Sequence, residues 1–119
     1  YSMKVNPVLL CKEIENVLSQ HKGLDINKIN LKKKSSIADF MIICSGTSSR
    51  HVISLSNYLI TSLKKINLRT LNVEGKSNGD WVLVDAGDII VHLFKSEVRN
   101  YYGLDQMWEN NNLNKTYEK

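Results

Sequence analysis

Proline occurs once in these 119 residues, at Pro7, and cysteine twice, at Cys11 and Cys44. Two isolated thiols without CxxC spacing exclude a cysteine-built zinc centre and point to a reducing compartment rather than a disulfide framework. No run approaches the ~20 apolar residues of a membrane-crossing helix, and no signal-like apolar stretch is present. The expectation is a cytoplasmic protein with no membrane partner. HExxH, Walker-type loops and a Ser-His-Asp arrangement are all missing. No segment repeats, and no Pro/Gly-rich linker divides the chain.

What is present fits one globular domain. Hydrophobic residues make up 42% and charged residues 24%, enough to build a single core without staples. The expected bounds are residues 4–109, followed by an Asn/Lys-rich tail at 110–119 that frays as a flexible end. Residues 1–73 hold 11 Lys/Arg against 4 Asp/Glu, whereas 74–119 hold 5 against 8. A basic first part and an acidic second part suit a protein that works in a charged assembly.

The periodicity predicts the order α-β-β-α-β-β-β-α. Asn6-Pro7 reads as an N-cap with proline at the first helical position. Leu10, Ile14, Val17, Leu18 and His21 then recur at helical spacing, and Gly23 marks the stop. Leu24, Ile26, Ile29 and Leu31 suggest a strand, and Lys32-Lys33-Lys34-Ser35-Ser36 a polar turn. Residues 37–44, "IADFMIIC", are nearly all apolar and read as a buried central strand. Val52, Leu55, Leu59, Leu63 and Ile66 line one face of a long helix. Leu71 and Val73 mark a third strand, and residues 81–85 and 89–94 form a hairpin about "AGD". Ser96 caps a short helix with Glu97 in its first turn, Gly103 ends it, and Leu104, Met107 and Trp108 add a last apolar turn.

The stretch "ADFMIICSGTSSRH", Ala38 to His51, has the outline of a phosphate-cradling turn: strand, glycine, hydroxyls, helix start. A nucleotidyltransferase would also need two carboxylates, one residue apart, on the following strand to hold Mg²⁺. The segment "RTLNVEG" supplies Glu74 alone, with Asn72 at the second position. Asp85 and Asp88 lie three apart across a turn and do not project to one side. A nucleotidyltransferase-like nucleotide-binding enzyme is therefore a secondary reading, and no catalytic residue, metal ligand or cofactor is assigned.

Other chemistry-bearing residues favour structural roles. Cys44 and His51 flank one turn, but a thiol inside an apolar run is usually inert packing. His92 alternates with Ile90 and Phe94, as a packed and hydrogen-bonded histidine does. Asp39 is expected to cap a local turn, and Thr47 or Ser48 to cap the long helix. Trp81, Phe94, Tyr101, Tyr102 and Trp108 crowd the last forty residues among charged side chains, which is how protein-binding hot spots are composed. Direct RNA binding competes through Lys32-Lys33-Lys34 and a pI near 9.1, but the aromatic part is acidic, which disfavours base stacking there.

Three ordered motifs carry a family resemblance: "ADFMIICSGTSSRH", "VEGKSNGDWVLVDAGDIIVHLF" and "EVRNYYGLDQMW". Over roughly residues 8–108 the chain resembles the ribosomal silencing factors, also called Iojap-like proteins. The family pattern falls on Ala38, Asp39, Gly46, Thr47, Ser48 and His51 in the first motif. Glu74, Gly75, Trp81, Asp85, Gly87, Asp88, His92 and Phe94 match the second, and Arg99, Tyr102, Leu104 and Trp108 the third. Ala86 replaces an aromatic found in many members, and Met107 a leucine.

The resemblance implies a single α/β domain with a mixed five-stranded sheet flanked by helices, distantly nucleotidyltransferase-like without the catalytic carboxylates. It further implies docking on the large ribosomal subunit through ribosomal protein number fourteen, blocking small-subunit joining and repressing translation when nutrients are short. Neighbouring ribosomal RNA is an expected contact of the basic first part, and the free protein is expected to be a homodimer. An acidic, aromatic surface complements a basic ribosomal partner. Trp81, Leu83, Asp85, His92, Glu97 and Tyr101 are the expected docking residues, although alternation alone leaves open whether Trp81, Leu83 and Asp85 face the core.

Overall fold

A computed structural model describes residues 6–31, 38–66 and 71–102, with side chains described as far as Arg99. Among the described residues, three helices and five strands follow the expected order. They are α1 (Pro7–Gln20), β1 (Leu24–Asn30), β2 (Phe40–Gly46), α2 (Ser49–Lys65), β3 (Asn72–Glu74), β4 (Trp81–Asp85), β5 (Ile89–Lys95) and α3 (Ser96–Tyr102). The strands form one mixed sheet in the order β1-β2-β5-β4-β3. Only β2 and β5 run parallel; the β1–β2, β4–β5 and β3–β4 pairs are antiparallel.

The termini of the helices form as their residues dictate. Asn6 caps α1, its side chain accepting from Val8 N–H at 2.8 Å, with Pro7 inside the first turn. Ser48 caps α2 by accepting from His51 N–H at 3.1 Å, and Lys64 and Lys65 oppose the negative end of that helix.

The stop after α1 differs from expectation. Lys22, not Gly23, takes the left-handed conformation, at φ 66°. Gly23 is needed for space: a Cβ there would stand 2.6 Å from Cys44 Sγ and 2.9 Å from the Leu18 carbonyl oxygen. His21 follows the helix as its C-cap and stacks flat on Tyr58 with ring centroids 3.5 Å apart.

Period-two alternation divides the sheet into two faces. On one, Ile42 and Cys44 of β2, Val91 and Leu93 of β5 and Val82 and Val84 of β4 meet α1 through Ile14 and Leu18, and α2 through Leu55, Leu59 and Leu63. These residues are essentially sealed from solvent, and each such side chain stabilises the fold by about 1.5–3 kcal/mol. On the other, Ile29, Met41, Ile43 and Phe94 form a second cluster against which Trp81, Ile90 and Val98 pack. Every residue of β2 is buried, as its continuous apolar run requires.

The β2 strand is displaced from the expected 37–44 to Phe40–Gly46. Asp39 and Phe40 both donate their backbone N–H to the Asp88 carbonyl, at 2.7 and 3.2 Å, so the chain bends onto the β4–β5 turn before pairing begins. The third strand begins at Asn72 rather than Leu71. The Lys32–Ser36 turn, Gly103, the Leu104–Trp108 segment and the tail lie outside the described residues.

Candidate functional site

Four of the six expected docking residues meet on the sheet face opposite α1 and α2. Val82 and Val84 point into the main core, which turns Trp81, Leu83 and Asp85 outward, each half-buried. The β4–β5 register sets Trp81 beside Phe94, Leu83 beside His92 and Asp85 beside Ile90. Trp81 stacks on the buried Phe94 at 4.9 Å between centroids, and its indole N–H donates to His92 Nδ1 at 3.0 Å. His92 is thus a packed, hydrogen-bonded residue, as its alternation predicts. Burial holds its pKa down to about 4, leaving the ring neutral.

The face is edged by acid. Glu74 pairs across from Leu83 and is exposed. Asp85 Oδ1 accepts from Gly87 N–H at 3.0 Å, closing the hairpin turn while the residue stays half exposed to solvent. Glu97 is exposed in the first turn of α3. Tyr101 lies on α3, and its side chain is outside the described residues.

Arg99, absent from the expected docking set, fixes α3 to the sheet. Its Nη1 donates to the Asp25 carbonyl at 2.6 Å and to Ser45 Oγ at 2.8 Å. A basic residue in the last turn of a short helix was the available signal, but its two distant partners belong to the tertiary fold. Phe94, buried beneath Trp81, was likewise legible as apolar but not as the platform for that indole.

The phosphate-like turn is occupied by its own residues. Thr47 N–H donates to His51 Nδ1 at 2.9 Å, and His51 Nε2 lies 3.0 Å from the His21 carbonyl oxygen. Ser49 Oγ donates to Asp80 Oδ1 at 3.2 Å. Gly46 has no positive φ; its requirement is packing, since a Cβ would come within 2.8 Å of Val52 Cγ2. Cys44 Sγ turns to the Ser45 carbonyl, not to His51, and burial pushes its thiol up to about 11. Asp39 forms its described hydrogen bonds through its backbone, correcting the side-chain cap expected there. Among the described residues no group of acids, histidines and cysteines is placed to hold a metal ion, and no helix is long and apolar enough to cross a membrane.

These features define a small mixed α/β domain with an aromatic, acid-edged face on its sheet. The chain matches the model of the family "Ribosomal silencing factor during starvation" over residues 6–119. It is 45% identical over 103 residues to Ribosomal silencing factor RsfS of Zymomonas mobilis, covering 87% of this chain and 77% of that protein. The mouse protein named Mitochondrial assembly of ribosomal large subunit protein 1 is 33% identical over 96 residues, 78% of this chain and 42% of its own length. A crystal structure of a Chromobacterium violaceum protein superposes with a TM-score of 0.86 at 34% identity, covering 88% of each chain. The chain belongs to the ribosomal silencing factor family.

Proposed function

We propose that this protein docks on the large ribosomal subunit through ribosomal protein number fourteen and sterically blocks joining of the small subunit, repressing translation. The observation that carries the reading is the convergence of Trp81, Leu83, Asp85 and His92 on one sheet face in a chain of this family. The name of the mouse relative, which refers to assembly of a ribosomal large subunit, supports the choice of subunit.

The chemistry of the face is compatible with such a partner. A half-buried tryptophan on a rigid aromatic platform is a typical anchor of binding energy, and Glu74, Asp85 and Glu97 would complement a basic ribosomal surface. Steric blocking requires occupancy only, so an affinity of about 8–12 kcal/mol, micromolar to nanomolar, is sufficient. In the same reading Glu97 and Tyr101 extend the contact along α3, the basic first part approaches ribosomal RNA, and the free chain pairs as a homodimer in the cytoplasm.

Subunit association followed by sedimentation tests the reading. Added protein should shift joined ribosomes toward free subunits and sediment with the large one. Unchanged association would sink the proposal. Equilibrium sedimentation of the free chain reads the dimer separately.

A further inference from the structure

His92 has two ring nitrogens, of which only Nδ1 has a hydrogen-bond partner among the described residues. Because Nδ1 accepts the Trp81 hydrogen, the proton of the neutral ring resides on Nε2. The residue is 8% exposed, yet no buried side-chain nitrogen or oxygen among the described residues is left unpaired. Nε2–H has no hydrogen-bond partner among the described residues and so is not sealed from solvent. Its register neighbours are Leu83 on β4 and Ile43 on β2, both apolar, and Trp81 and Phe94 form the aromatic wall.

A fixed donor in apolar surroundings selects what can cover it. Covered without an acceptor, the N–H would lose its water and weaken binding. We infer that His92 Nε2–H is a specificity-determining donor of the docking face and takes a carbonyl oxygen from the protein that covers it, with Trp81 as the residue that positions the ring. This rests on the docking reading above.

The charges around the ring favour a neutral acceptor over a carboxylate. Glu74 on β3 and Asp85 on β4 share its face, and Arg99 of α3 is engaged with Asp25 and Ser45. A partner carboxylate would meet two like charges and would be best served by a charged ring, which burial opposes. A carbonyl oxygen meets neither obstacle.

Two variants of the full chain separate the roles of the nitrogens. His92→Asn keeps an acceptor near the Nδ1 position and removes the Nε2 donor; His92→Gln carries an amide N–H to about the Nε2 position. In sedimentation with large subunits, His92→Asn should bind about tenfold more weakly and His92→Gln within about threefold of the parent. Parent binding should stay level as pH falls from 8 to 6.

Equal binding by the parent and His92→Asn overturns the inference while leaving docking intact, as does binding that tightens on acidification, the mark of a carboxylate acceptor. A parent chain that does not bind large subunits overturns docking and this inference together. If both variants fail to fold, proton exchange at His92 Nε2 in the parent decides. Slowed exchange on adding isolated ribosomal protein number fourteen supports the inference, and unchanged exchange with that protein bound overturns it.

Discussion

His51 on α2 holds the carbonyl oxygen of His21 at the end of α1, with Nε2 3.0 Å from it. Its other nitrogen, Nδ1, accepts from Thr47 N–H at 2.9 Å, so one ring ties the strand-to-helix turn to the end of the first helix. His51→Ala removes both bonds and leaves the Thr47 amide and the His21 carbonyl to find water. A loss of about 1–3 kcal/mol is expected, read as a lower urea midpoint at unchanged slope.

Trp81, the anchor of the proposed docking face, also makes a structural hydrogen bond. Trp81→Phe keeps an aromatic ring over Phe94 but removes the donor to His92 Nδ1, and should cost about 1–2 kcal/mol of stability. Trp81→Ala should abolish capture by isolated ribosomal protein number fourteen in a pull-down. Undiminished capture by a folded Trp81→Ala variant would remove this residue from the interface.

Gly46 stands where a side chain has no room. Gly46→Ala places a methyl group 2.8 Å from Val52 Cγ2 and 3.2 Å from the Val52 nitrogen, so the start of α2 must shift. Overpacking of this kind costs about 1–3 kcal/mol. Thermal unfolding should show a lower midpoint, with no compensating gain from the better helix propensity of alanine, because Gly46 lies on a strand.

The pH dependence of stability has opposite signs in acid and in base. His92, held down to about 4 from 6.5, stays neutral in the fold while the unfolded chain takes up a proton, so stability falls as pH drops from about 6.5 to 4. His92→Gln should flatten that limb. Cys11 and Cys44, both pushed up to about 11 from 9.0 by burial, act at the other end: the unfolded thiols ionise first, and stability falls as pH rises from about 9 to 11. Urea midpoints measured across pH 4–11 read both limbs.

The same burial makes the cysteines reporters of unfolding. Both have no exposed surface, so iodoacetamide should label neither in the native protein and both in denaturant. Labelling of Cys44 in the native state would show that the β1–β2 side of the sheet opens without global unfolding.

Local pattern by itself determined the order of elements, the N-cap at Asn6, the choice of Thr47 or Ser48 as the cap of α2, the buried central strand and the alternation of Trp81, Leu83 and Asp85, because each depends on neighbours a few residues away; the structure selects Ser48. Three motifs in order determined the family. The outward direction of Trp81 required α1 and α2 to claim the opposite sheet face, since alternation gives two sides but not which is covered. The same holds for the Arg99 contacts with Asp25 and Ser45, 74 and 54 residues away in sequence, and for the crowding of Gly23 by Cys44. The strand start moved from 37 to Phe40 because Asp39 bonds to Asp88, a contact that hydropathy does not encode. Alternation with Ile90 and Phe94 identified His92 as a packed ring on a strand; only the pairing of β4 with β5 brought the Trp81 indole to its Nδ1.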